Sequence, residues 1–421
     1  MIIWQAIKSE ISKKHQQGIF WRSQMPTLFT PKKIGKMEIE NRFVHSATYE
    51  CMADHNGKVT DKLIKRYKQI AKGGAGLIIP GYLYIMPNGR AMHYQTGIYN
   101  DDMIKGLKKL VDVVHNEGSK IAFQLAHSGR QTTKDKIGQT PLAPSRGPRD
   151  SIYMVKPKEM TEEEIHEVIS AFGAAAFRAN EAGADGVEIH AAHGYLVNQF
   201  LSPFFNKRMD SWGASDENRF RFLKEIVLGV KKYISDRMAV LVKLNTQDHT
   251  PKKGITLELA KKYSAWLAEL PIDGLEVSCG TISYSMFNMV RGDVPTKEIV
   301  STYPLWRQIL GKMLLKKMEG KFDLEEGYNL EAAKLIKPII GKIPLLVVGG
   351  LRKVSHMEEV IKNGFSDFIS MSRPFIREPN IVDKIREGKA DAVACVSCNK
   401  CFAAIANDIP VYCYNKGFPK K

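Results

Sequence analysis

No apolar run in this chain approaches the roughly 20 residues needed to cross a bilayer, which argues against a spanning helix. The opening stretch, MIIWQAIKSEISKKHQQG, has scattered apolar residues and no small-residue cleavage site, so residues 1–25 read as a short amphipathic arm and not as a secretory signal. A GxGxxG fingerprint is missing after the first candidate strand, which weakens a doubly wound dinucleotide-binding sheet. Internal repeats, low-complexity tracts and nucleic-acid motifs are also lacking. The net charge of +17 is spread along the whole length and therefore reads as a lysine-rich solvated surface with no nucleic-acid partner. Its basic rim suits an acidic substrate, such as a CoA thioester, or an acidic redox partner. Cysteine is scarce until the end: of six, only Cys51 and Cys279 lie outside the last 27 residues. That is no secreted disulfide framework, and it points to a reducing, cytoplasmic setting.

What is present is a regular alternation. At 421 residues, with 44% hydrophobic and 25% charged residues, the chain can bury a full core. Short apolar strand candidates fall at 43–47, 76–81, 120–125, 186–190, 239–245, 274–279, 344–349 and 366–371, with helical patterns between them. Asp101 and Asp102 precede Ile104, Leu107, Val111 and Val114 at helical spacing, and Thr161 with Glu164 forms a capping box. Eight such alternations predict an α/β fold, a (β/α)8 TIM barrel spanning 26–388, followed by a cysteine-rich tail, 389–421. Two segments, 127–160 and 280–328, are too long to be simple connections. Within the second, Trp306, Ile309, Leu310 and Met313 recur at helical spacing beside Lys312, Lys316 and Lys317. They read as a surface helix packed on the barrel or, more sharply, as a lid or partner-docking element.

Barrel strands point their C-terminal ends at the active face. The polar residues stand there: Thr48, Gln124, His190, His193, Tyr195, Lys243, Gly349, Gly350, Ser372 and Arg373. The ends of the seventh and eighth strands commonly hold a phosphate through backbone N–H groups and a cation, and VVGGLR and SMSRPF meet that need. Two imidazoles can grip one substrate oxygen, and the Tyr195 phenol can supply a proton. A bare His-x-x-His pair can also ligate zinc, but no third histidine or carboxylate stands at a suitable position. His127 reads as structural, and Cys51 and Cys279 as small buried residues.

The stretch HAAHGYLVNQFLSPFFNKRMDSWGASDENRFR, with PKKIGKMEIENRFVHSAT, QLAHSGR and SDFISMSRPFIREP, resembles the old yellow enzyme (NADH:flavin oxidoreductase) family, in its His-His branch. The resemblance covers roughly residues 26–385. It implies that the phosphate ligand is FMN and that Ser46, Ala47 and Thr48 line the flavin. It further implies that Gln124 binds the pyrimidine edge, and that Gly349, Gly350, Ser372 and Arg373 hold the phosphate. Lys243 stands where many relatives carry arginine beside the flavin; it keeps the charge and loses the planar fork. The implied chemistry is that of an ene-reductase. Hydride passes from reduced flavin to the C=C of an enone, enoate or enoyl-CoA. His190 and His193 stabilise the developing enolate, and Tyr195 protonates the α-carbon.

In the tail, Cys395, Cys398, Cys401 and Cys413 follow C-x2-C-x2-C-x11-C, a spacing typical of Fe–S ligation, whereas structural zinc more often uses two separated CxxC pairs. The tail also resembles the cluster segment of the larger relatives typified by 2,4-dienoyl-CoA reductase, which implies a [4Fe–4S] cluster. In those relatives the chain continues into FAD- and NAD-binding domains. Here the sequence is expected to rely on direct reduction by NAD(P)H or on a separate electron-donor protein. A homo-oligomer is left open. Amine dehydrogenation, a Schiff-base lyase built on Lys243 and a non-catalytic electron-transfer subunit are the alternative readings.

Overall fold

The computed structural model describes residues 27–150 and 152–419, so the arm at 1–25 lies outside the described residues. Eight parallel strands are formed where the apolar runs predict them: β1 (Phe43–His45), β2 (Leu77–Ile78), β3 (Lys120–Ala126), β4 (Gly186–Ala191), β5 (Ala239–Asn245), β6 (Gly274–Ser278), β7 (Leu345–Val348) and β8 (Phe368–Met371). Each pairs with its sequence neighbour, and β8 pairs with β1, so the sheet closes into a barrel. Closure removes the open-sheet alternative. Helices separate the strands: α1 (Asp61–Lys72), α2 (Ile104–Asn116), α3 (Glu162–Glu181), α4 (Asp216–Lys231), α5 (Leu257–Ala268), α6 (Leu330–Ile336), α7 (Val354–Lys362) and α8 (Ile381–Arg386).

Local chemistry sets these helices. In α2 the spaced residues Leu107, Val111 and Val114 are buried, joined by Leu110. Each such side chain contributes roughly 1.5–3 kcal/mol on burial. The capping box of α3 is formed: the Glu164 N–H donates to Thr161 Oγ1 at 3.3 Å and the Thr161 N–H donates to Glu164 Oε2 at 2.9 Å. Two otherwise orphaned donors are thereby satisfied.

Inside the barrel, strand alternation sorts residues by height. Val44, Leu77, Ala122, Ala239, Leu241, Leu346 and Phe368 belong to one apolar cluster. Two residues further along their strands come Gln124 and Lys243, level with Glu188 and Glu276 on the neighbouring strands, and a further step along β4 brings His190. The interior therefore changes from dry to polar toward the C-terminal mouth. The opposite end is shut by an antiparallel hairpin, Lys32–Ile34 with Met37–Ile39, whose Ile34, Met37 and Ile39 join the apolar cluster. Gly35, at φ 57°, makes its turn.

The two long segments carry structure of their own. Residues 127–160 hold the short helix Lys134–Ile137 and paired two-residue strands, Leu142–Ala143 and Lys158–Glu159. Residues 280–328 hold the helices Ile282–Met289, Thr296–Ile299 and Leu305–Lys316. The packing expected for the last is overturned. Leu305–Lys316 buries none of its residues, and Trp306, Ile309, Leu310 and Met313 are 64%, 56%, 51% and 60% exposed. The opposite side touches the protein: a Cβ at Gly311 would lie 2.8 Å from Val300, and Leu315 packs against the cluster of Phe287, Val294 and Ala403. Helical spacing reports an apolar face, not what covers it.

Candidate active site

The site forms where β4 leaves the sheet. His190 is the fifth residue of that strand. His193 and Gly194 follow with φ of 62° and 81°, and Tyr195 caps the helix Leu196–Leu201. A left-handed non-glycine residue is strained, so this turn has to be held. The His193 N–H donates to Asn245 Oδ1 at 3.2 Å, and the Gln131 amide donates to the His193 carbonyl at 3.0 Å. Beneath, the buried Asp248 carboxylate accepts from Asn245, Asn198, Ser202 and the Ile255 N–H at 2.6–3.2 Å. Asn198 in turn accepts the Gly194 N–H at 2.7 Å. The turn is thus fastened to β5 and to the first helix after β4.

This brings the three predicted residues together. The His190 ring lies 5.1 Å from the His193 ring and 4.8 Å from that of Tyr195. His193 Nε2 is 2.7 Å from Ser278 Oγ at the end of β6, whereas His190 Nδ1 is buried with no partner among the described residues. Burial, helped by the Lys243 charge, lowers both imidazole pKa values well below the ordinary range, so both rings are neutral at pH 7. Burial raises the Tyr195 phenol well above 10, and its hydroxyl donates to Tyr82 Oη at 2.9 Å.

Below them lies a buried charge cluster. Lys243 Nζ pairs with Glu276 Oε2 at 2.7 Å and donates to Ser46 Oγ at 2.8 Å. Gln124 donates to Glu188 Oε2 at 2.5 Å. Burial, reinforced by the Glu276 charge, pushes the Glu188 carboxyl up. Ser46, Lys243 and Gln124 thus share one layer, and Thr48 Oγ1 reaches Ser372 Oγ at 2.7 Å, which ties the ends of β1 and β8. Ala47, half-buried, adjoins the apolar cluster beneath.

At the ends of β7 and β8, Gly350 has φ 73°, and a Cβ there would lie 2.8 Å from the Glu325 carbonyl. A Cβ on Gly349 would meet Asn329 at 3.0 Å. These glycines admit the segment before α6 as closely as the sequence argument has them admit a phosphate. Arg373 donates to the Arg291 carbonyl at 2.8 Å and to Asn399 Oδ1 at 2.5 Å. Arg352 stands near enough for the Arg373 charge to depress it further after burial has done most of the lowering. Its Nε is buried without a partner among the described residues. Two neighbouring guanidiniums, one with a buried Nε left without a partner among the described residues, suit an anion, so the residues present fit a phosphate.

Cys395, Cys398, Cys401 and Cys413 line one pocket with Arg373, Ile376 and Arg377. Burial pushes the Cys401 thiol up to about 12, with Arg373 opposing and Cys395 and Cys398 adding to the rise. Arg377 donates to Cys413 Sγ at 3.5 Å. Among the described residues, however, no three His, Cys, Asp or Glu side chains are grouped closely enough to hold a metal ion. The tail itself is fastened. The Val411 N–H donates to the Glu50 carbonyl at 2.8 Å, and Arg66 donates to the Val411 carbonyl at 2.7 Å.

His127 is structural: its Nδ1 accepts the Gly129 N–H at 3.0 Å, and burial lowers its pKa to about 3. Cys51 and Cys279 are buried. Sequence reasoning missed Tyr82, Arg352 and Asp248. Arg352 ends the VVGGLR run and was within reach of the phosphate argument. Tyr82 and Asp248 carry no spacing signal.

A model of the NADH:flavin oxidoreductase / NADH oxidase family matches residues 27–292. The 4,4'-dithiodibutanoate disulfide reductase of Rhodococcus erythropolis is 31% identical over 385 residues, 90% of this chain and 93% of that protein. The NADH oxidase of Thermoanaerobacter brockii is 33% identical over 380 residues, 90% of this chain and 53% of that one. Among solved structures, a 2-naphthoyl-CoA reductase in complex with 2-naphthoyl-CoA superposes with a TM-score of 0.80 at 28% identity, covering 92% of this chain and 56% of the other. The chain therefore spans about half the length of the last two.

Proposed function

The chain belongs to the NADH:flavin oxidoreductase / NADH oxidase family, a family of oxidoreductases, and from that premise we propose that it is an FMN-dependent ene-reductase acting on α,β-unsaturated carbonyl compounds. The observation that carries this reading is the convergence of His190, His193 and Tyr195 at the mouth of the barrel. Reduced FMN, when bound, supplies a hydride. His190 and His193, neutral at pH 7, donate hydrogen bonds to the substrate carbonyl oxygen. Such donors to developing charge are worth roughly 3–4 kcal/mol of barrier each. Tyr195 delivers its proton to the α-carbon, and Tyr82 orients that hydroxyl. Ser46, Ala47, Thr48, Gln124 and Lys243 line the flavin ring; Gly349, Gly350, Ser372 and Arg373, with Arg352, hold its phosphate.

The tail from 389 onward is, on the same reading, a unit distinct from the barrel at 26–388. Its four cysteines hold a [4Fe–4S] cluster through which a separate donor protein delivers electrons; NAD(P)H is the other donor. The shared pocket and the spacing support the cluster. An amine dehydrogenase is the poorer reading, because an amine offers the two imidazoles no carbonyl oxygen.

The test is anaerobic purification, flavin extraction, an iron assay, and turnover with NADH and NADPH against enones, enoates, enoyl-CoAs and 4,4'-dithiodibutanoate. FMN and turnover of a C=C substrate are expected. FAD, or turnover of the disulfide alone, overturns the reading.

A further inference from the structure

The helix Leu305–Lys316 lies in the long connection between β6 and α6 and contributes no residue to the site above. It presents Leu305, Trp306, Ile309, Leu310, Met313 and Leu314, all between 51% and 74% exposed, on one broad convex face. At about 100° per residue these six sweep half the circumference. Arg307, Lys312, Lys316 and Lys317 lie along or inside that sweep, and all are exposed. Among the described residues none of the four is paired with a carboxylate. Arg307 instead lies over the Trp306 ring, 5.1 Å from its centroid.

Apolar faces of this size mark contacts, and the cations decide which. A two-fold contact through this face would bring four more cations, none paired with a carboxylate, into the same interface, and like charges repel. Protein interfaces in general exclude lysine from their apolar centres. A bilayer surface does the reverse. Lysine stems cover apolar surface while the ammonium groups reach outward to headgroups. A Trp-, Leu- and Lys-rich helix lying in the interface plane is attracted by anionic lipid. The chain's overall charge of +17 adds long-range attraction of the same sign. No helix of the described residues is long and apolar enough to cross a membrane, so contact would be from one side. We propose that Leu305–Lys316 seats the protein on an anionic lipid surface, its apolar face sunk among the acyl chains and its cations among the headgroups.

The experiment is flotation of the flavin-loaded full-length protein with phosphatidylglycerol vesicles and with phosphatidylcholine vesicles. Wild type floats with the first and at least tenfold less with the second. A Trp306→Gln, Ile309→Gln, Met313→Gln variant stays in the aqueous fraction, with the flavin spectrum and enone turnover unchanged. A Lys312→Gln, Lys316→Gln, Lys317→Gln variant loses on the order of 100-fold in partitioning, from about fivefold per cation. Wild type that fails to float overturns the proposal, as does an apolar variant that floats equally well. Should the apolar variant instead turn a dimer into a monomer while wild type ignores vesicles, the face belongs to a second copy and the proposal fails.

Discussion

The barrel mouth and the cysteine pocket, which Arg373 helps to line just after β8, are built in different ways. At the mouth the candidate side chains stand at strand ends or in the turns that follow them, and the strained turn at His193 is tied down by a buried carboxylate with four hydrogen bonds. In the pocket the cysteines ride on a segment fastened at other residues: Glu50, Arg66 and Glu378 hold its backbone, and the buried Asn399 and Asn407 side chains tie it to the 290–299 stretch. The first arrangement fixes geometry before any ligand arrives. The second brings four thiols to one cavity without drawing them into a ligating group. Preorganisation suits a site that must stabilise a transition state. A site that takes up a cluster can let the cluster do the ordering.

The sharpest way to break this contrast is Cys398→Ser. Essentially all cluster iron should be lost from anaerobically prepared protein while FMN stays bound, because the barrel mouth does not lean on the thiols. Loss of flavin along with iron would make the two regions one unit. Next comes Tyr195→Phe, which should slow the oxidative half-reaction with an enone by about 10²–10⁴-fold, the usual worth of a positioned acid, and leave flavin reduction nearly untouched. Stopped-flow measurement of both half-reactions checks it; equal slowing would remove the proton-donor role.

Acid should weaken the preorganised region. The folded His190 and His193 are held well below 6.5, and His45 and His127 at about 3, chiefly by burial. The unfolded chain therefore binds more protons, and stability falls as pH drops from 6.5 toward the folded pKa values. The slope is up to about 1.4 kcal/mol per pH unit for each histidine. Denaturant titrations at pH 7, 6 and 5 measure it. His127→Gln should flatten the slope by one histidine's share. Last, Tyr82→Phe removes the hydroxyl that accepts from Tyr195. A fall of roughly tenfold or less in enone reduction is expected, from one misoriented hydrogen bond of about 1 kcal/mol.

Much of this was legible from residues alone. The eight strands are apolar runs bounded by turn residues, and parallel strands buried on both faces announce themselves in that way. The His190, His193 and Tyr195 set lies within six residues, so local sequence contains it. What escaped depends on long-range placement. Tyr82 meets Tyr195 across 113 positions, and Asp248 serves a turn some fifty residues earlier. The hairpin at 32–39 is two three-residue strands, too short for an alternation to stand out. The helix Leu305–Lys316 is legible as a helix, but its apolar face is exposed and not packed on the barrel, and between packing and docking periodicity cannot choose, because it names no partner.

Arg373 links the two regions in a way that has a thermodynamic reading. On the proposed reading its guanidinium holds the flavin phosphate, and it also lines the cysteine pocket, where its charge opposes the rise that burial imposes on the Cys401 thiol. Whatever neutralises it on one side weakens its pull on the other. If the proposed phosphate site is right, flavin occupancy and an ionised Cys401 would compete for this one cation. Linkage would make that competition reciprocal: the factor by which bound phosphate disfavours ionised Cys401 would equal the factor by which that thiolate disfavours phosphate.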